Sequence, residues 1–524
     1  MTLMTKHLQK FNFNDLFVLD LANNHQGSVE HGTAIILSCA EVAKKHGVRA
    51  VMKFQFRDLP EFIHKDERAN PTNKHVPRFM STKLSWSDFS QLRSTVKSTG
   101  QLAMCTPFDE ASVEKIVEMG FDLIKVASCS ARDWPLLEKV ASSGLPIIAS
   151  TGGLLQEEVD DLVSFFVHRG CEFALMHCVS IYPTPDEACQ LGNITEFVER
   201  YPGRTIGWST HEPPQDIAQV GIAMALGARM FERHVGIETD KIKLNAYSST
   251  PAQVDAWLTA AARAKSLIGE RKRGTPLAIE RTSIDELRRG VFAKTEIEAG
   301  QPITDDQVYF AFPYRPGQIS SGEWKPGAVS RMAFSPDQPL QVSELDATDD
   351  QEVHVIKRAI HEVKALLAYA RVPLTHEFST EYSHHYGVAN FREVGAVLIN
   401  VINRAYAKKV LVQLPGQTHP LHFHKLKEET FLVLWGELIS ELDGRERVLR
   451  PGDTLTVPPG VWHCFRTETG CVFEEISTTA YSNDSVYRDP AINALTSKQR
   501  KTIVDHWGRF QLTEQLRKAQ IPGQ

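Results

Sequence analysis

The stretch that decides the fold starts with FVLDLANN (17–24), a short apolar run that ends in polar residues. Seven similar runs follow: AVMKFQF (50–56), LAMCTPF (102–108), LIKVAS (123–128), PIIAST (146–151), FALMHCVS (173–180), TIGWST (205–210) and ARMFERHV (228–235). Runs this short and this rich in Val, Ile, Leu and Phe are typical of buried strands. Most gaps between them have helical periodicity, and eight alternating units predict an α/β fold, a (β/α)8 TIM barrel. A doubly wound open sheet is the alternative, and its ligands also bind at strand carboxyl ends.

Length and composition describe an ordinary globular protein of several domains. The 524 residues are too many for one hydrophobic core, and the formal net charge is only −6. Without a basic excess we expect no nucleic-acid partner, and without a long apolar run we expect no membrane span. The eight cysteines form no CxxC pair, which indicates a reducing, cytoplasmic compartment.

Changes in residue composition and hydrophobic pattern along the chain predict its domain organisation. After the barrel, Pro and Gly become dense among short strands, and later a helical stretch precedes strands separated by turn signals such as LDGRE. The predicted divisions are a barrel (1–275), a small β-rich domain (285–346), a helical linker region (350–397), an all-β domain (398–482) and a C-terminal tail (483–524).

Polar residues collect at the carboxyl ends of the predicted barrel strands, which is where barrels carry their chemistry. Lys53 and Lys125 lie inside apolar runs, and burying an unpaired ammonium there would cost several kcal/mol. At a strand end both can instead meet an anion. Hydroxyl residues and the Gly152-Gly153 turn lie on the same rim. The combination indicates a pocket for phosphate and carboxylate, although either lysine alone could be a solvated strand-end residue.

His211 and His234 follow or end the last two predicted strands. Neighbouring strands can bring them onto one metal with an open coordination position. Satisfied rim histidines are an equal alternative from spacing alone. Glu232 could orient one imidazole or face the helices, and the alternation along the strand leaves both orientations open.

These residues lie in motifs that resemble the nonulosonate (sialic acid) synthases, which condense phosphoenolpyruvate with an N-acetylated amino sugar. The motifs are NHQG (24–27), VMKFQ, CTPFDEASVE, LIKVAS, STGG, MHCVSIYPTP, IGWSTH, ALGA and FERHVG. The resemblance covers about residues 17–345, since the module after the barrel is similar to that family's antifreeze-like (SAF) domain. It implies a carbon–carbon bond-forming transferase of nonulosonic acid biosynthesis.

The resemblance also implies roles for individual residues. The phosphoenolpyruvate ligands would be Lys53, Thr106, Lys125, Ser128, Ser150, Ser180, Tyr182 and Ser209. His211 and His234 would hold Mn²⁺ or Mg²⁺, which polarises the sugar aldehyde. Gln55, Asn245 and Tyr247 would lie on the sugar side. In the family, a domain-swapped homodimer brings an arginine of the SAF domain into the partner's active site, and PYRPG places Arg315 at the matching position.

Three departures from the family pattern fall mostly on the sugar side. Asp20 stands where the family has a sugar-contacting glutamate, Ser130 stands where it usually has another glutamate, and Ser180 replaces an asparagine. The Asp20 carboxylate would be one methylene further back. These departures predict a non-standard acceptor sugar.

The C-terminal β domain contains HFHKLKEE and, further on, GDTLTVPPGVWH. His422 and His424 at i, i+2 point the same way along a strand, so with Glu429 and His463 they can converge on one metal. This ligand set suits Mn²⁺, Fe²⁺, Ni²⁺ or Zn²⁺. Glu428 is predicted to be a solvated neighbour. Both stretches resemble the two cupin motifs, and more loosely those of cupin sugar isomerases.

Three functions compete at this point. The leading one is a nonulosonate synthase with a cupin that is either a sugar isomerase or a sensor. The second is a phosphoenolpyruvate aldol synthase on a phosphorylated aldose, which would need further basic residues, and the sequence has no obvious cluster of them. The third is a non-catalytic, sugar-binding regulatory protein with a decayed barrel.

Overall fold

The computed structural model describes residues 10–69, 71–270, 273–346, 352–481 and 483–507. The chain divides into two compact units, one on each side of the boundary between residues 275 and 276. Among the helices of the described ranges, none has the length and apolar character that a membrane crossing requires.

The first unit is built on eight parallel strands that close into a barrel in sequential order. They are β1 (Leu16–Asp20), β2 (Arg49–Phe56), β3 (Leu102–Pro107), β4 (Leu123–Val126), β5 (Ile147–Ser150), β6 (Phe173–Cys178), β7 (Ile206–Ser209) and β8 (Met230–His234). All eight predicted strands are present, so the TIM-barrel prediction is confirmed and the open-sheet alternative is wrong.

Eleven helices of the first unit lie in the described ranges. They are α1 (Val29–His46), α2 (Leu59–Phe62), α3 (Lys65–Ala69), α4 (Val76–Ser81), α5 (Trp86–Ser98), α6 (Glu110–Glu118), α7 (Trp134–Ser142), α8 (Gln156–His168), α9 (Asn193–Arg200), α10 (Ala218–Leu226) and α11 (Pro251–Ile268). The apolar faces of the longer helices and the outward-facing strand residues form one continuous core, whereas Leu59 of α2 and Val76 of α4 belong to a small separate cluster. Three short helices, α2 to α4, occupy the long connection after β2, beside the barrel mouth.

The second unit begins with α12 (Ala278–Asp285) and a small antiparallel pair, β9 (Gly290–Ala293) and β10 (Val308–Ala311). Isolated bridges extend this pair through residues 318–345. A core of its own, which includes Val291, Ile303 and Leu340, lies beneath them. The β-rich texture predicted for this stretch is therefore present.

Two antiparallel sheets form the rest of the second unit. Its elements are α13 (Glu352–Tyr369), β11 (Ser379–Ser383), β12 (Ala396–Asn403), β13 (Tyr406–Gln413), β14 (Thr418–His424), β15 (Glu429–Gly436), β16 (Leu438–Leu442), β17 (Arg445–Leu449), β18 (Thr454–Val457), β19 (His463–Arg466), β20 (Cys471–Thr478), β21 (Ser485–Tyr487), α14 (Pro490–Asn493), α15 (Ser497–Arg500) and β22 (Lys501–Asp505). The seven-stranded sheet has the order β18-β15-β20-β13-β12-β11-β22, and the five-stranded sheet has the order β17-β16-β19-β14-β21.

These sheets extend beyond the predicted all-β range 398–482 on both sides. β11 lies within the predicted linker region, whereas β21 and β22 lie in the predicted tail. The reason is that β11 (STEYS) is mostly polar and β21 (SVY) has only three residues, so neither shows the apolar alternation that marks a strand. Residues 508–524 of the predicted tail lie outside the described residues.

Candidate active site and metal centre

The barrel interior has two layers, because side chains alternate along each strand. The lower layer is apolar and includes Val18, Val51, Leu123, Ile148 and Met230. Two positions further along the same strands are Asp20, Lys53, Lys125, Ser150 and Glu232, all of them buried. The barrel therefore presents an apolar floor and, above it, a ring of polar and charged side chains at the strand carboxyl ends.

Lys53 and Lys125 share one carboxylate in this ring. Nζ of Lys53 lies 2.7 Å from Oε1 of Glu232, and Nζ of Lys125 lies 2.5 Å from Oε2 of the same residue. Ser209 donates a hydrogen bond of 3.2 Å to Oε1. Glu232 thus faces the barrel interior and bridges the two lysines, which settles the orientation that the sequence left open.

Asp20 connects this lysine pair to the histidines. In the barrel register Asp20 is opposite Lys53 on one side and His234 on the other. Its Oδ2 lies 2.9 Å from Nζ of Lys53 and 3.4 Å from Nε2 of His234. The two lysines and His234 consequently belong to one continuous polar cluster.

Burial and neighbouring charges set the pKa values of this cluster. Burial alone would raise the pKa of Glu232, but the two ammonium groups lower it below its usual value. Burial would lower the pKa of Lys53, yet Asp20 and Glu232 raise it. Burial lowers the pKa of Lys125, and repulsion by the Lys53 ammonium lowers it further. Among the described residues, Glu232 is the only carboxylate that forms an ion pair with Lys125. Over the cluster two carboxylates balance two ammonium groups, but Lys125 shares its one carboxylate with Lys53 and so is itself incompletely neutralised.

His211 and His234 lie side by side, with ring centroids 5.4 Å apart. Nδ1 of His211 lies 3.0 Å from the carbonyl oxygen of Val179, so Nδ1 carries the proton and Nε2 keeps a free lone pair. Burial lowers the pKa of His211 to about 3 and also lowers the pKa of His234. Two neutral imidazoles beside the carboxylate of Asp20 form a donor set that fits a divalent cation.

Two tyrosines lie over the histidine pair. The ring of Tyr182 lies 4.2 Å from that of His211, and the ring of Tyr247 lies 5.1 Å from that of His234, centroid to centroid. Tyr182 is 53% exposed, so it lies at the open mouth of the barrel. Asn245 accepts a hydrogen bond of 3.1 Å from the backbone N–H of Tyr247, and so it holds the turn that carries this tyrosine.

The hydroxyl residues lie around the turn after β5. Oγ of Ser128 accepts a 2.9 Å hydrogen bond from the backbone N–H of Gly152. A Cβ at Gly152 would lie 2.6 Å from Oγ of Ser180 and 2.9 Å from Oγ of Ser128, so only glycine lets the backbone come this close. Oγ1 of Thr106 is buried and has no hydrogen-bond partner among the described residues. An orphaned hydroxyl of this kind can serve a ligand.

Arg315 is the one predicted catalytic residue that lies outside the first unit. It is exposed, and its guanidinium lies 5.8 Å from the ring centroid of Phe292 within the second unit. Its role in an active site stays a prediction.

Arg57 was missed by the sequence reasoning, although it lies at the barrel mouth. Its Nη2 donates a 3.1 Å hydrogen bond to Gln55, whose amide lies 3.5 Å from Asp20. The guanidinium lies 3.7 Å from the ring centroid of Phe108 and 4.1 Å from that of Phe79. Across the described residues, no carboxylate lies within ion-pair distance of it. The spacing could have indicated it, because Lys53, Gln55 and Arg57 are each two residues apart and side chains at that spacing point to the same side of a strand.

In the second unit, the four predicted cupin ligands converge. The ligand atoms of His422, His424, Glu429 and His463 all lie within 4.8 Å of one another, and all four residues are buried. Glu428, by contrast, is exposed, as predicted. The tight spacing of buried imidazoles around one carboxylate is typical of a metal centre.

Hydrogen bonds to the backbone fix the tautomers of two of these histidines. Nδ1 of His422 lies 2.9 Å from the carbonyl oxygen of Pro420, and Nδ1 of His463 lies 3.0 Å from that of Val461. Each Nδ1 therefore carries the proton, and each Nε2 offers a lone pair. Nε2 of His463 lies 2.8 Å from Oε1 of Glu429, yet neither atom has a hydrogen-bond partner among the described residues. Two facing lone pairs at this distance fit a cation bound between them.

Charged neighbours position the carboxylate of the centre. Nζ of Lys427 lies 2.5 Å from Oε2 of Glu429 and 2.9 Å from Oε1 of Glu475. Burial would raise the pKa of Glu429, but Lys427 and the histidines lower it well below its usual value. Burial lowers the pKa of His422 well below its usual value and that of His424 to about 4. At neutral pH the centre thus offers the neutral imidazoles of His422 and His424, the Nε2 lone pair of His463 and one ionised carboxylate.

A closed parallel barrel with two lysines and two imidazoles at its mouth, followed by a cupin-like cluster of three histidines and a glutamate, defines the class of the protein. Comparison with known proteins specifies it. Residues 39–273 match the NeuB family and residues 410–474 match the cupin domain. The crystal structure of a spore coat polysaccharide biosynthesis protein E from Chromobacterium violaceum is 41% identical, with a TM-score of 0.62, and the match covers 64% of this chain and 100% of that one.

Two characterised types of enzyme are among the relatives. N-acetylneuraminate-9-phosphate synthase of Drosophila melanogaster is 32% identical over 46% of this chain and 66% of the relative. Pseudaminic acid synthase of Campylobacter jejuni is 27% identical over 57% of this chain and 89% of the relative. The chain belongs to the NeuB family and carries a C-terminal cupin domain, so the family and cupin resemblances are confirmed, while the SAF domain at 285–346 stays a prediction.

Proposed function

We propose that the barrel is a nonulosonate synthase that condenses phosphoenolpyruvate with an amino sugar or a related aldose and releases phosphate. The observation that supports this most is the joining of Lys53, Lys125 and His234 through Asp20 and Glu232 into one buried cluster. An anion site and a metal-type site on one rim are what this reaction requires.

In this proposal Lys53 and Lys125 hold the phosphate and carboxylate of phosphoenolpyruvate by preorganised charge. The hydroxyls of Thr106, Ser128, Ser150, Ser180, Tyr182 and Ser209 complete that pocket. That Lys125 shares its one carboxylate with Lys53 supports this assignment, because its ammonium group can still pair with an incoming anion. C3 of phosphoenolpyruvate then bonds to the aldehyde carbon, water adds at C2, and the phosphate leaves.

His211 and His234 would hold the barrel metal, Mn²⁺ or Mg²⁺. Such a metal, when bound, withdraws charge from the aldehyde oxygen. Asp20 orients His234, while Gln55, Asn245 and Tyr247 border the space for the sugar. Asp20 is already shared by Lys53 and His234, which leaves less of its carboxylate for a sugar hydroxyl.

The residues on the sugar side match the family pattern least well. We therefore propose that the acceptor sugar is not N-acetylmannosamine. A screen of phosphate release from phosphoenolpyruvate with N-acetylmannosamine, diacetamido hexoses and simple aldoses tests both ideas. Metal-dependent release with a sugar other than N-acetylmannosamine is the expected result. Best turnover with N-acetylmannosamine would contradict the acceptor proposal, and no release with any aldose would contradict the synthase.

A phosphorylated aldose is a second candidate, and Arg57 favours it. Its guanidinium is stacked between aromatic rings next to Gln55 and has no carboxylate partner among the described residues. Burial lowers the pKa of Arg57 to about 10, so it stays charged at neutral pH without a partner. A cavity of about 290 Å³ lies beside it, with Lys83 on its border. Comparing each sugar of the screen with its 6-phosphate separates the two candidates.

For the cupin we propose a divalent metal, Mn²⁺, Fe²⁺, Ni²⁺ or Zn²⁺, held by His422, His424, Glu429 and His463. Its role is either sugar isomerisation or sensing of a sugar or product. The double variant His422→Ala/His463→Ala distinguishes them, with metal content, sugar isomerisation and phosphate release all measured. Lost isomerisation with intact phosphate release identifies an isomerase, whereas changed regulation of phosphate release identifies a sensor.

The remaining proposals concern assembly and location. We propose a domain-swapped homodimer in which residues 285–346 act as an SAF domain and Arg315 reaches the active site of the partner subunit. Mixing Arg315→Ala protein with a Lys125→Met variant tests this, since only an exchanged domain restores activity in the mixture. All eight cysteines are free thiols, which supports a cytoplasmic location.

A further inference from the structure

The cavity in front of the cupin metal ligands has a volume of about 120 Å³ and contains more charged groups than a metal site needs. The cations on its border are Lys409, Lys427, Arg500 and Lys501, and the carboxylates besides Glu429 are Glu381, Glu475 and Asp484. How these groups pair decides which charge the cavity has left for a ligand.

Most of the cations are neutralised within the cavity wall. Lys427 contacts Glu429 and Glu475, and Lys409 lies 3.8 Å from Glu475. Lys501 lies 3.0 Å from Glu381. In each case the carboxylate is held close enough to balance the ammonium.

Arg500 is different. Within the part of the chain that the structure describes, no carboxylate lies within ion-pair distance of its guanidinium. Its backbone is anchored, because its carbonyl oxygen accepts a 2.8 Å hydrogen bond from the N–H of His384. Its Cζ lies 5.2 Å from the ring centroid of Tyr487, and that ring stacks on His422 at 5.4 Å. One aromatic ring therefore separates an unpaired cation from a predicted metal ligand.

The rest of this wall can bind hydroxyl groups. Oη of Tyr487 lies 2.9 Å from Nε2 of His385. Nδ1 of His385 and Nδ1 of His419 are buried and have no hydrogen-bond partner among the described residues. Buried polar atoms without partners are costly unless a ligand or water satisfies them.

We propose that the cupin cavity binds a sugar acid and that Arg500 pairs with its carboxylate. The border carries four cations and four carboxylates, which balance, so a divalent cation at the histidine cluster gives the cavity a positive surplus. The carboxylate of the sugar acid reduces that surplus by pairing with Arg500. The hydroxyl groups of the sugar provide hydrogen-bond partners for Tyr487, His385 and His419. A neutral sugar would leave the guanidinium unpaired in a partly buried site. The inference rests on the proposed cupin metal and is independent of the barrel reaction.

The experiment is isothermal titration calorimetry on the full-length, metal-loaded protein with two probes, D-glucuronate and D-glucose. These sugars differ only in the carboxylate at C6. We expect glucuronate to bind about 10- to 100-fold more tightly than glucose, because a hydrogen bond between charged groups contributes an affinity gain of this size. Equal affinities would overturn the sugar-acid inference. Metal content, measured separately by mass spectrometry, tests the metal proposal, and a cupin without metal would overturn both.

Three variants assign the effect to Arg500. Arg500→Gln should reduce glucuronate affinity about 10-fold or more and leave glucose affinity unchanged, and Arg500→Lys should restore part of the loss. Lys498→Gln is the matched control, since Lys498 is an exposed cation on the same short helix, outside the cavity border. Unchanged glucuronate binding in Arg500→Gln, or an equal loss in Lys498→Gln, would overturn the role of Arg500.

Discussion

The barrel site and the cupin site both bury ionisable groups at the centre of a β framework, but the barrel site places cations there and the cupin site places lone-pair donors. In the barrel, two lysines share Glu232, and Lys125 is left incompletely neutralised. In the cupin, three imidazoles surround Glu429, and Nε2 of His422 and Nε2 of His463 each offer a lone pair. One centre is therefore prepared for an anion and the other for a cation, and this contrast can be tested at single residues.

The largest expected effect is on the stability of the barrel. Glu232→Gln removes the carboxylate that two buried lysines share, and we expect a loss of about 3–5 kcal/mol in the free energy of unfolding of the first unit. Urea denaturation followed by barrel tryptophan fluorescence measures it. The control is Glu187→Gln at an exposed position, which should change stability by less than about 0.5 kcal/mol. Equal stability of the two variants would contradict the claim that the buried lysines of the barrel depend on Glu232.

The next effect is catalytic. Lys125→Met keeps Glu232 paired with Lys53 but removes the incompletely neutralised cation, so phosphate release from phosphoenolpyruvate should fall on the order of 10²–10³-fold in kcat/KM. The exposed Lys97 gives the matched control, Lys97→Met, with unchanged kinetics. A Lys125→Met enzyme that retains full activity would show that the anion binds elsewhere.

In the cupin, Lys427→Met leaves Glu429 without its cation and should lower the stability of the metal-free protein by about 2 kcal/mol. Adding the metal should recover most of that loss, because a divalent cation can replace the ammonium. Differential scanning calorimetry with and without Mn²⁺ or Zn²⁺ measures both values. If metal destabilises the variant or has no effect on it, the cluster does not prefer a cation.

The smallest effect concerns pH. The pKa of His424 is lowered to about 4 in the folded protein, so the unfolded chain binds its proton first as pH falls. Stability associated with this residue is therefore present above its ordinary pKa of 6.5 and is lost as pH decreases toward 4. The melting temperature of metal-free protein should fall across that range, and His424→Gln should reduce the slope. Identical slopes would contradict the buried, neutral state of this imidazole.

Much of both centres could be predicted from sequence because the decisive information is local. The eight strands are short apolar runs with polar ends, and His422, His424 and Glu429 occupy one short motif with fixed spacing. The inward orientation of Glu232 was also within reach, since Glu232 and His234 are two residues apart on β8 and must share a face.

Other features depend on tertiary pairing that local patterns do not encode. β11 and β21 are short segments whose strand state depends on partners far away in sequence, β22 for β11 and β14 for β21. That Arg57 has no carboxylate partner among the described residues goes with the packing of Phe79 and Phe108 around it, and these two residues come from different connections of the barrel. Sequence reasoning therefore found no basic group for a second phosphate.

The central claim is that Lys53, Lys125, His211 and His234 serve one phosphoenolpyruvate reaction. The most direct measurement is phosphate release from phosphoenolpyruvate with a panel of aldoses, with and without Mn²⁺, and with mass spectrometry of the product. We predict metal-dependent release and a product that is longer than the acceptor by three carbons. Phosphate release that proceeds without an aldose, or no release with any member of the panel, would contradict the claim.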